Sequence, residues 1–365
     1  MEEALLKEYP DDTSSSRNTA DIIFDELIKL MDNGTVDFIK SKYAGLTGNR
    51  EFRKMNLLNL LANYKTQYSY NLLKDLLTNQ PPKDEGNYLL TYRITDSIEL
   101  ARSLFPEILR LSNNPILVQR VMGITAEMLE KKQIPVSMLD QYRGNFIHAA
   151  DTLYNRYSKM DYISQSYLVT DMLSLLQQLN EAEGNRILKK YLGLEDLDIK
   201  QSTIENLLKN GISVDSKQIE KVASNKGYRQ DFYVQLHKIG KTAVFPAAYS
   251  TQQSIGEADV YQYAMNEDYE PDEIKSLGTK TIKYKGSNYK LHLFRVIYEG
   301  KDQDSKPFRE TYLGISGPFS MDPKDLITES ELTFIFFDEE YDSKKTEKLI
   351  QDHIKSVETG ETEEE

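Results

Sequence analysis

From Thr19 to Ile239 the apolar residues recur at helical spacing, with no strand pattern among them. Most of the chain is thereby committed to helices that each bury one stripe against a neighbour. Leu57, Leu61 and Tyr64 share a face, widened by Leu58 and Leu60. Leu72, Leu73, Leu76 and Leu77 follow, and Pro81-Pro82 ends that helix because neither proline can donate a backbone bond. Ile98, Ala101, Leu104, Phe105, Ile108 and Leu109 form the next stripe. Asn114 reads as an N-cap with Pro115 at the first helical position, ahead of Leu117, Val121, Ile124, Thr125 and Met128.

Ser137 with Asp140 resembles the start of a capping box, leading into Leu139, Tyr142, Phe146, Ala150, Leu153 and Tyr157. Leu168, Met172, Leu175 and Leu179 make another stripe. Gly193, Gly211 and Gly240 stand where a left-handed residue closes a helix, and Asp198 and Asp215 where two short helices need N-caps. The pattern predicts roughly ten helices joined by short turns, an array of antiparallel pairs. Leu57, Leu61, Leu104, Ile108, Leu168 and Leu175 are its expected core.

The character changes after Gly240. Strand patterning runs over residues 279–298, with a turn at Lys285–Asn288. Tyr289, Leu291 and Leu293 lie on one parity; Phe294, Val296 and Tyr298 lie on the other. That phase switch predicts a bulge or a strand buried on both faces. Phe308–Ser316 and Leu332–Phe337 are the third and fourth expected strands, and Ser343–Val357 a final helix. The linking stretch, residues 242–277, is not legible; within it 259–265 reads as an edge strand or a helical turn. Because both parities are apolar, the sheet needs cover on both faces. The final helix supplies one cover. The other is expected from Phe232 and Leu236, or from the stretch around Phe245 and Tyr249.

The fold class expected is therefore mainly α: an α-solenoid-like array of antiparallel helix pairs, followed by a small α+β unit with an antiparallel sheet. The divisions expected are a polar leader at 1–18, a helical-repeat domain at 19–240, the α+β domain at 241–357 and a disordered acidic tail at 358–365.

The helical part resembles HEAT-like α-solenoids: its helices come in pairs, and Pro106 lies inside a strong stripe, as the kinking proline of a HEAT repeat often does. The resemblance implies an extended binding face. A fainter likeness is to the C-terminal regions that follow the TraB/GumN-type domain in bacterial envelope proteins, with helical pairs, Pro-Pro loop ends and a Tyr- and Phe-rich strand unit. It implies that any chemistry resides elsewhere in a longer parent chain.

Charge and composition narrow the partners. The net charge is −13, and residues 338–365 hold eleven acids against four lysines. No basic patch stands out to recruit phosphates, so no nucleic-acid partner is expected. No apolar run reaches the roughly 18 residues that span a bilayer. The start, MEEALLKEYPDDTSSSRN, reads as a polar leader or as a cut within a longer protein. The compartment stays open: cytoplasmic as the chain stands, periplasmic or surface-exposed for a fragment of an exported protein. With no cysteine, disulfides, thiolate nucleophiles and Cys-ligated metals are excluded.

No motif carries chemistry. Gly240-Lys241-Thr242 ends like a phosphate loop, but Gln235 stands where that loop needs glycine, so Gly240 reads as a helix cap. His148, His237, His292 and His353 share no ligand spacing; His148 is expected to be partly buried and His292 to face solvent. Gly314-Ile315-Ser316-Gly317-Pro318 misses the nucleophile-elbow pattern and reads as a strand end. Asp302 and Asp304 lack the rest of a calcium loop, and Asn33-Gly34-Thr35 matches a glycosylation sequon too short to be informative. There are 24 tyrosines and no tryptophan; Tyr64, Tyr68 and Tyr70 cluster at one helix corner, a composition suited to contact surfaces or to packing between helices.

No catalytic, cofactor or metal residue is assigned. The expected role is a non-enzymatic interaction scaffold for another protein, or for another part of a longer chain. The alternative is an enzyme or ligand-binding module with its site at the junction of the helical and β parts.

Overall fold

A computed structural model describes residues 19–30, 32–48, 53–64, 66–80, 105–106, 109–110, 112, 118–156, 162–265, 270–301, 306–359. The protein is mainly α, with a four-stranded antiparallel sheet toward the C-terminal end. It divides into two compact units, Met1–Tyr191 and Leu192–Glu365.

In the first unit the described helices are α1 (Thr19–Leu30), α2 (Asn33–Lys42), α3 (Arg53–Tyr64), α4 (Gln67–Asn79), α5 (Val118–Glu130), α6 (Arg143–Arg156), α7 (Tyr162–Leu179) and α8 (Ala182–Tyr191). Local chemistry sets their starts. Asp32 caps α2, whose first residues are the sequon Asn33-Gly34-Thr35, by accepting from Thr35 N at 2.7 Å. Thr66 and Ser69 form a reciprocal capping box at α4. The box expected at Ser137 is absent: Val136–Leu139 is a 3-10 turn after Pro135, with no side-chain cap.

Helices touch their neighbours and the next but one. α1 packs on α3, α2 on α4 and α3 on α4; α5 packs on α6 and α7, α6 on α7 and α8, and α7 on α8. Leu57, Leu61 and Leu175 are fully buried, as expected. Leu104 and Ile108 lie outside the described residues, as does the side chain of Leu168. Buried tyrosines tie alternate helices: Tyr64 on α3 donates to Leu27 O on α1 at 2.8 Å, and Tyr191 on α8 to Ala150 O on α6 at 3.2 Å. Tyr64 and Tyr70 thus belong to the core, while Tyr68 stays 45% exposed.

Between α5 and α7, Asp171 lies so close to Gly123 that a Cβ there would meet its carboxylate at 2.4 Å. Burial, reinforced by Glu127, raises the Asp171 pKa from 3.8 to about 6. The unfolded chain then releases this proton more readily than the fold, so the unit loses stability as pH rises from about 4 to 6. Asp171→Asn is therefore expected to raise stability at pH 7 by roughly 1–2 kcal/mol, discounted for partial exposure. Urea midpoints at pH 7 and pH 4 check it: the gain vanishes at the lower pH, and an equal effect at both would refute the assignment.

The second unit contains α9 (Leu197–Lys209), α10 (Ser216–Ser224), α11 (Lys226–Lys238), α12 (Gln252–Ala264), strands β1 (Glu273–Tyr284), β2 (Ser287–Lys301), β3 (Pro307–Phe319) and β4 (Phe334–Ile335), and α13 (Thr346–Thr359). Three helices that the sequence groups with the array thus belong with the sheet. Asp215 caps α10 as expected, but α9 is capped by Asp196, not Asp198. Gly240 closes α11 with φ of 66°: its N–H bonds His237 O at 3.0 Å and the next, Lys241 N, bonds Leu236 O at 2.8 Å. Gly211 closes α9 alike, while Gly193 is not among the glycines at positive φ.

The strands run in the order β1-β2-β3-β4. Lys285 and Gly286, both at positive φ, make the two-residue turn that a right-handed hairpin twist requires. The phase switch in β2 has both expected causes. The register shifts in β1 between Ser276 and Gly278, opposite Phe294 and Leu293, and β2 is buried on both faces. Leu291, Leu313 and Ile315 face α13 through Ile350 and Ile354. Phe294, Val296 and Ile335 meet Val260 and Ala264 of α12. Residues 259–265 are thus helical up to Ala264, and the illegible linker supplies the second cover. Phe232, Leu236 and Phe245 join it at one corner, around Phe319 and Leu326. β3 runs past the expected end at Ser316, and α13 extends to Thr359. Residues 358–359 of the expected disordered tail are therefore helical, and Glu358 accepts from Lys285 N at 3.0 Å. Residues 1–18 and 360–365, with Asp302 and Asp304, lie outside the described residues.

Candidate functional site

The strongest convergence of polar side chains lies in the second unit, where α11 and α12 meet the sheet. Asp259 sits on the buried side of α12, 6% exposed. Its Oδ2 accepts from Ser316 Oγ of β3 at 2.6 Å and from Thr333 Oγ1; its Oδ1 accepts from Ser330 Oγ at 3.0 Å. Ser330 Oγ accepts from Gln230 Nε2 of α11 at 3.1 Å. Three hydroxyl donors keep the carboxylate solvated by protein in place of water, as a buried charge demands. The close approach depends on Gly256, one turn before Asp259: a Cβ there would stand 3.3 Å from Ser316 Oγ and 3.4 Å from His292 Cβ.

His292 pairs with Ser316 across β2 and β3, on the face turned to α12. It is 5% exposed, not solvent-facing as its parity against Leu291 and Leu293 suggested, because both faces of the sheet are covered. Its ring meets Phe319 edge-on at 5.1 Å, and neither nitrogen has a hydrogen-bond partner among the described residues. Burial, with Lys290 a smaller contributor, lowers its pKa from 6.5 to about 4. The sign follows from proton counts. Between pH 6.5 and 4 the unfolded chain takes up a proton that the fold refuses, so stability falls as pH drops through that window. The loss is expected to reach about 3 kcal/mol. Replacing His292 with Leu should remove this part of the acid sensitivity, read as the difference between urea midpoints at pH 7.5 and 4.5. An unchanged difference would show that His292 does not titrate as described.

Other tethers bind the same junction. Arg229 of α11, nearly fully buried, donates to Ala223 O at 2.8 Å, Ser224 O at 3.1 Å and Ser254 O at 3.1 Å, and stacks over Tyr249 at 4.8 Å. Gln252 Nε2 reaches Ser320 O, Asp322 O and Asp325 O within 2.9 Å.

Chemically the cluster can hold a charge and fix geometry. Ser316 Oγ is fully buried and donates to a carboxylate, and no hydrogen bond joins it to His292, so nucleophile and base are not coupled. The remaining histidines are apart: His148 and His237 are exposed, correcting the burial expected for His148, and His353 stacks on Phe334 at 4.7 Å. Among the described residues, no group of three or more His, Asp and Glu is placed to hold a metal ion, and no helix is long and apolar enough to cross a membrane. In the first unit, a cavity of about 160 Å³ is lined, among the described residues, by Pro106, Leu109, Arg110, Met138, Gln141 and Tyr142.

The architecture defined is a helical protein with a double-covered antiparallel sheet. Among known proteins, no family model, no curated protein and no solved structure matches this chain.

Proposed function

We propose that the chain is a non-enzymatic protein-interaction scaffold built from stacked helix pairs of the HEAT-like kind. The observation that supports this reading is the packing of helices on the next but one, seen for α1 with α3, α2 with α4, α5 with α7 and α6 with α8. Stacked pairs bury a continuous core and leave one row of helix faces for a partner. Tyr68 of α4 has the character of a contact residue: it is exposed, and its hydroxyl donates to Asp37 of α2 at 2.5 Å, which fixes the ring on the surface.

The test is recovery of a partner from the source organism's extract on immobilised chain, followed by rebinding of that partner as a purified component. Tyr68→Ala, at an exposed position, is expected to weaken binding at least tenfold with a nearly unchanged melting temperature. No partner that rebinds in purified form would defeat the scaffold reading. Undiminished binding by the variant would remove Tyr68 from the contact face.

The second reading, a ligand or substrate site at the junction of helices and sheet, is favoured by the convergence of Asp259, Ser316, Ser330 and Thr333. The hydrogen bonds of this carboxylate are all made within the fold, which favours a tether over a site.

A further inference from the structure

We infer that the second unit carries a site for a cationic side chain, a lysine or arginine in a basic segment of a protein partner, formed by Tyr298, Tyr312 and Phe337 at the end of α12. The three rings are mutual neighbours set at steep angles: Tyr298 to Tyr312 at 6.1 Å and 66°, Tyr312 to Phe337 at 5.2 Å and 67°, Tyr298 to Phe337 at 6.3 Å and 47°. Tyr298 is buried and holds the base of the group, its hydroxyl donating to Ala264 O at 2.7 Å. Tyr312 is half-buried and Phe337 is 45% exposed, so ring surface reaches solvent.

Carboxylates stand beside the rings. Tyr312 donates to Glu310 at 2.7 Å, and Glu340 lies near enough to act on the same hydroxyl. Asp338 and Glu340, both exposed, follow Phe337 directly. Ala264 is the last residue of α12, where the helix dipole presents its negative end. Aromatic faces attract a cation through their quadrupole, most strongly where water is partly excluded. Elsewhere in this unit basic side chains already use rings: Arg229 over Tyr249, Arg295 over Tyr341 at 4.7 Å, Lys285 over Tyr284 at 5.1 Å. Among the described residues no basic side chain lies over Tyr298, Tyr312 or Phe337.

The inference deepens the scaffold reading by naming a partner chemistry, and its test needs no partner. The full chain is titrated against a fluorophore-labelled eight-residue peptide of alternating lysine and glycine, read by anisotropy at low and at 0.3 M salt, that is, at roughly the 10 Å and 6 Å screening regimes. Phe337→Ala, Phe337→Leu and Tyr312→Leu leave the net charge unchanged, and each is expected to weaken binding at least fivefold. Phe337→Leu keeps an apolar side chain at an exposed position, and its melting temperature, expected to be unchanged, separates loss of binding from loss of fold. Glu340→Gln should weaken binding two- to threefold, and Glu220→Gln, on exposed α10 surface, should not. Absence of binding by the unaltered chain overturns the inference. So does equal affinity across the aromatic variants, which would mark diffuse attraction to an acidic protein. Either result leaves the Tyr68 experiment on the first unit standing.

Discussion

A fragment starting at Leu192 is expected to fold on its own, and one starting at Lys241 is not. The reason is one apolar cluster in which Ile204, Leu208, Ile219, Val222, Phe232 and Leu236 of α9–α11 surround Phe245, Ile255, Phe319 and Leu326. Removing the three helices returns those four side chains to water, at about 1.5–3 kcal/mol each. Arg229 and Gln230, with their bonds to Ser254 and Ser330, go too. That sum rivals the whole stability of a domain this size, roughly 5–15 kcal/mol. Urea unfolding and sedimentation of both fragments check it. A 241–365 fragment that is monomeric and unfolds at the midpoint of the longer one would show that the sheet is an independent module.

Asp259→Ala carries the largest expected effect of any single substitution, a loss on the order of 3–5 kcal/mol at pH 7. The carboxylate is the acceptor for Ser316 of β3 and for Ser330 and Thr333, which share the turn ahead of β4. Its removal leaves buried hydroxyls without an acceptor and a gap beside Gly256. Ser316→Ala or Thr333→Val, which removes one donor of three, should cost about 1 kcal/mol. Equilibrium unfolding of the second unit reads the difference, and a cost for Asp259→Ala below 1 kcal/mol would mean that the network is not what holds α12 to the sheet.

These two features were the least legible in the sequence, and for the same reason. A helix with one buried face announces itself by a stripe, as α4 does with Leu72, Leu73, Leu76 and Leu77. α12 lies between α11 and the sheet, so Ile255, Ala258, Asp259, Val260 and Ala264 are all buried and no stripe forms. Its buried aspartate then read as a strand or turn residue. The hydroxyls that satisfy it lie 57, 71 and 74 positions away, beyond any local pattern. His292 was misplaced by the same blindness: on a sheet with one open face its parity would point to water, and here α12 covers that face. The tyrosine excess was visible, but which tyrosines pack and which stay exposed depends on tertiary neighbours; Tyr64 and Tyr68, four residues apart, end in opposite environments. The phase switch at Leu293–Phe294 was readable because its cause, a second buried face, writes itself into both parities of one strand.

The central claim is that the chain works through exposed surface while its buried polar junction only holds the fold. Hydrogen–deuterium exchange of the chain with and without its recovered partner tests this most directly. The account predicts added protection in peptides carrying Tyr68 of α4 and Asp37 of α2, with those carrying Asp259, Ser316 and Thr333 already slow and unchanged. Protection confined to the Asp259, Ser316 and Thr333 peptides, whether caused by a protein or by a co-purifying small molecule, would contradict it and make the junction the working site.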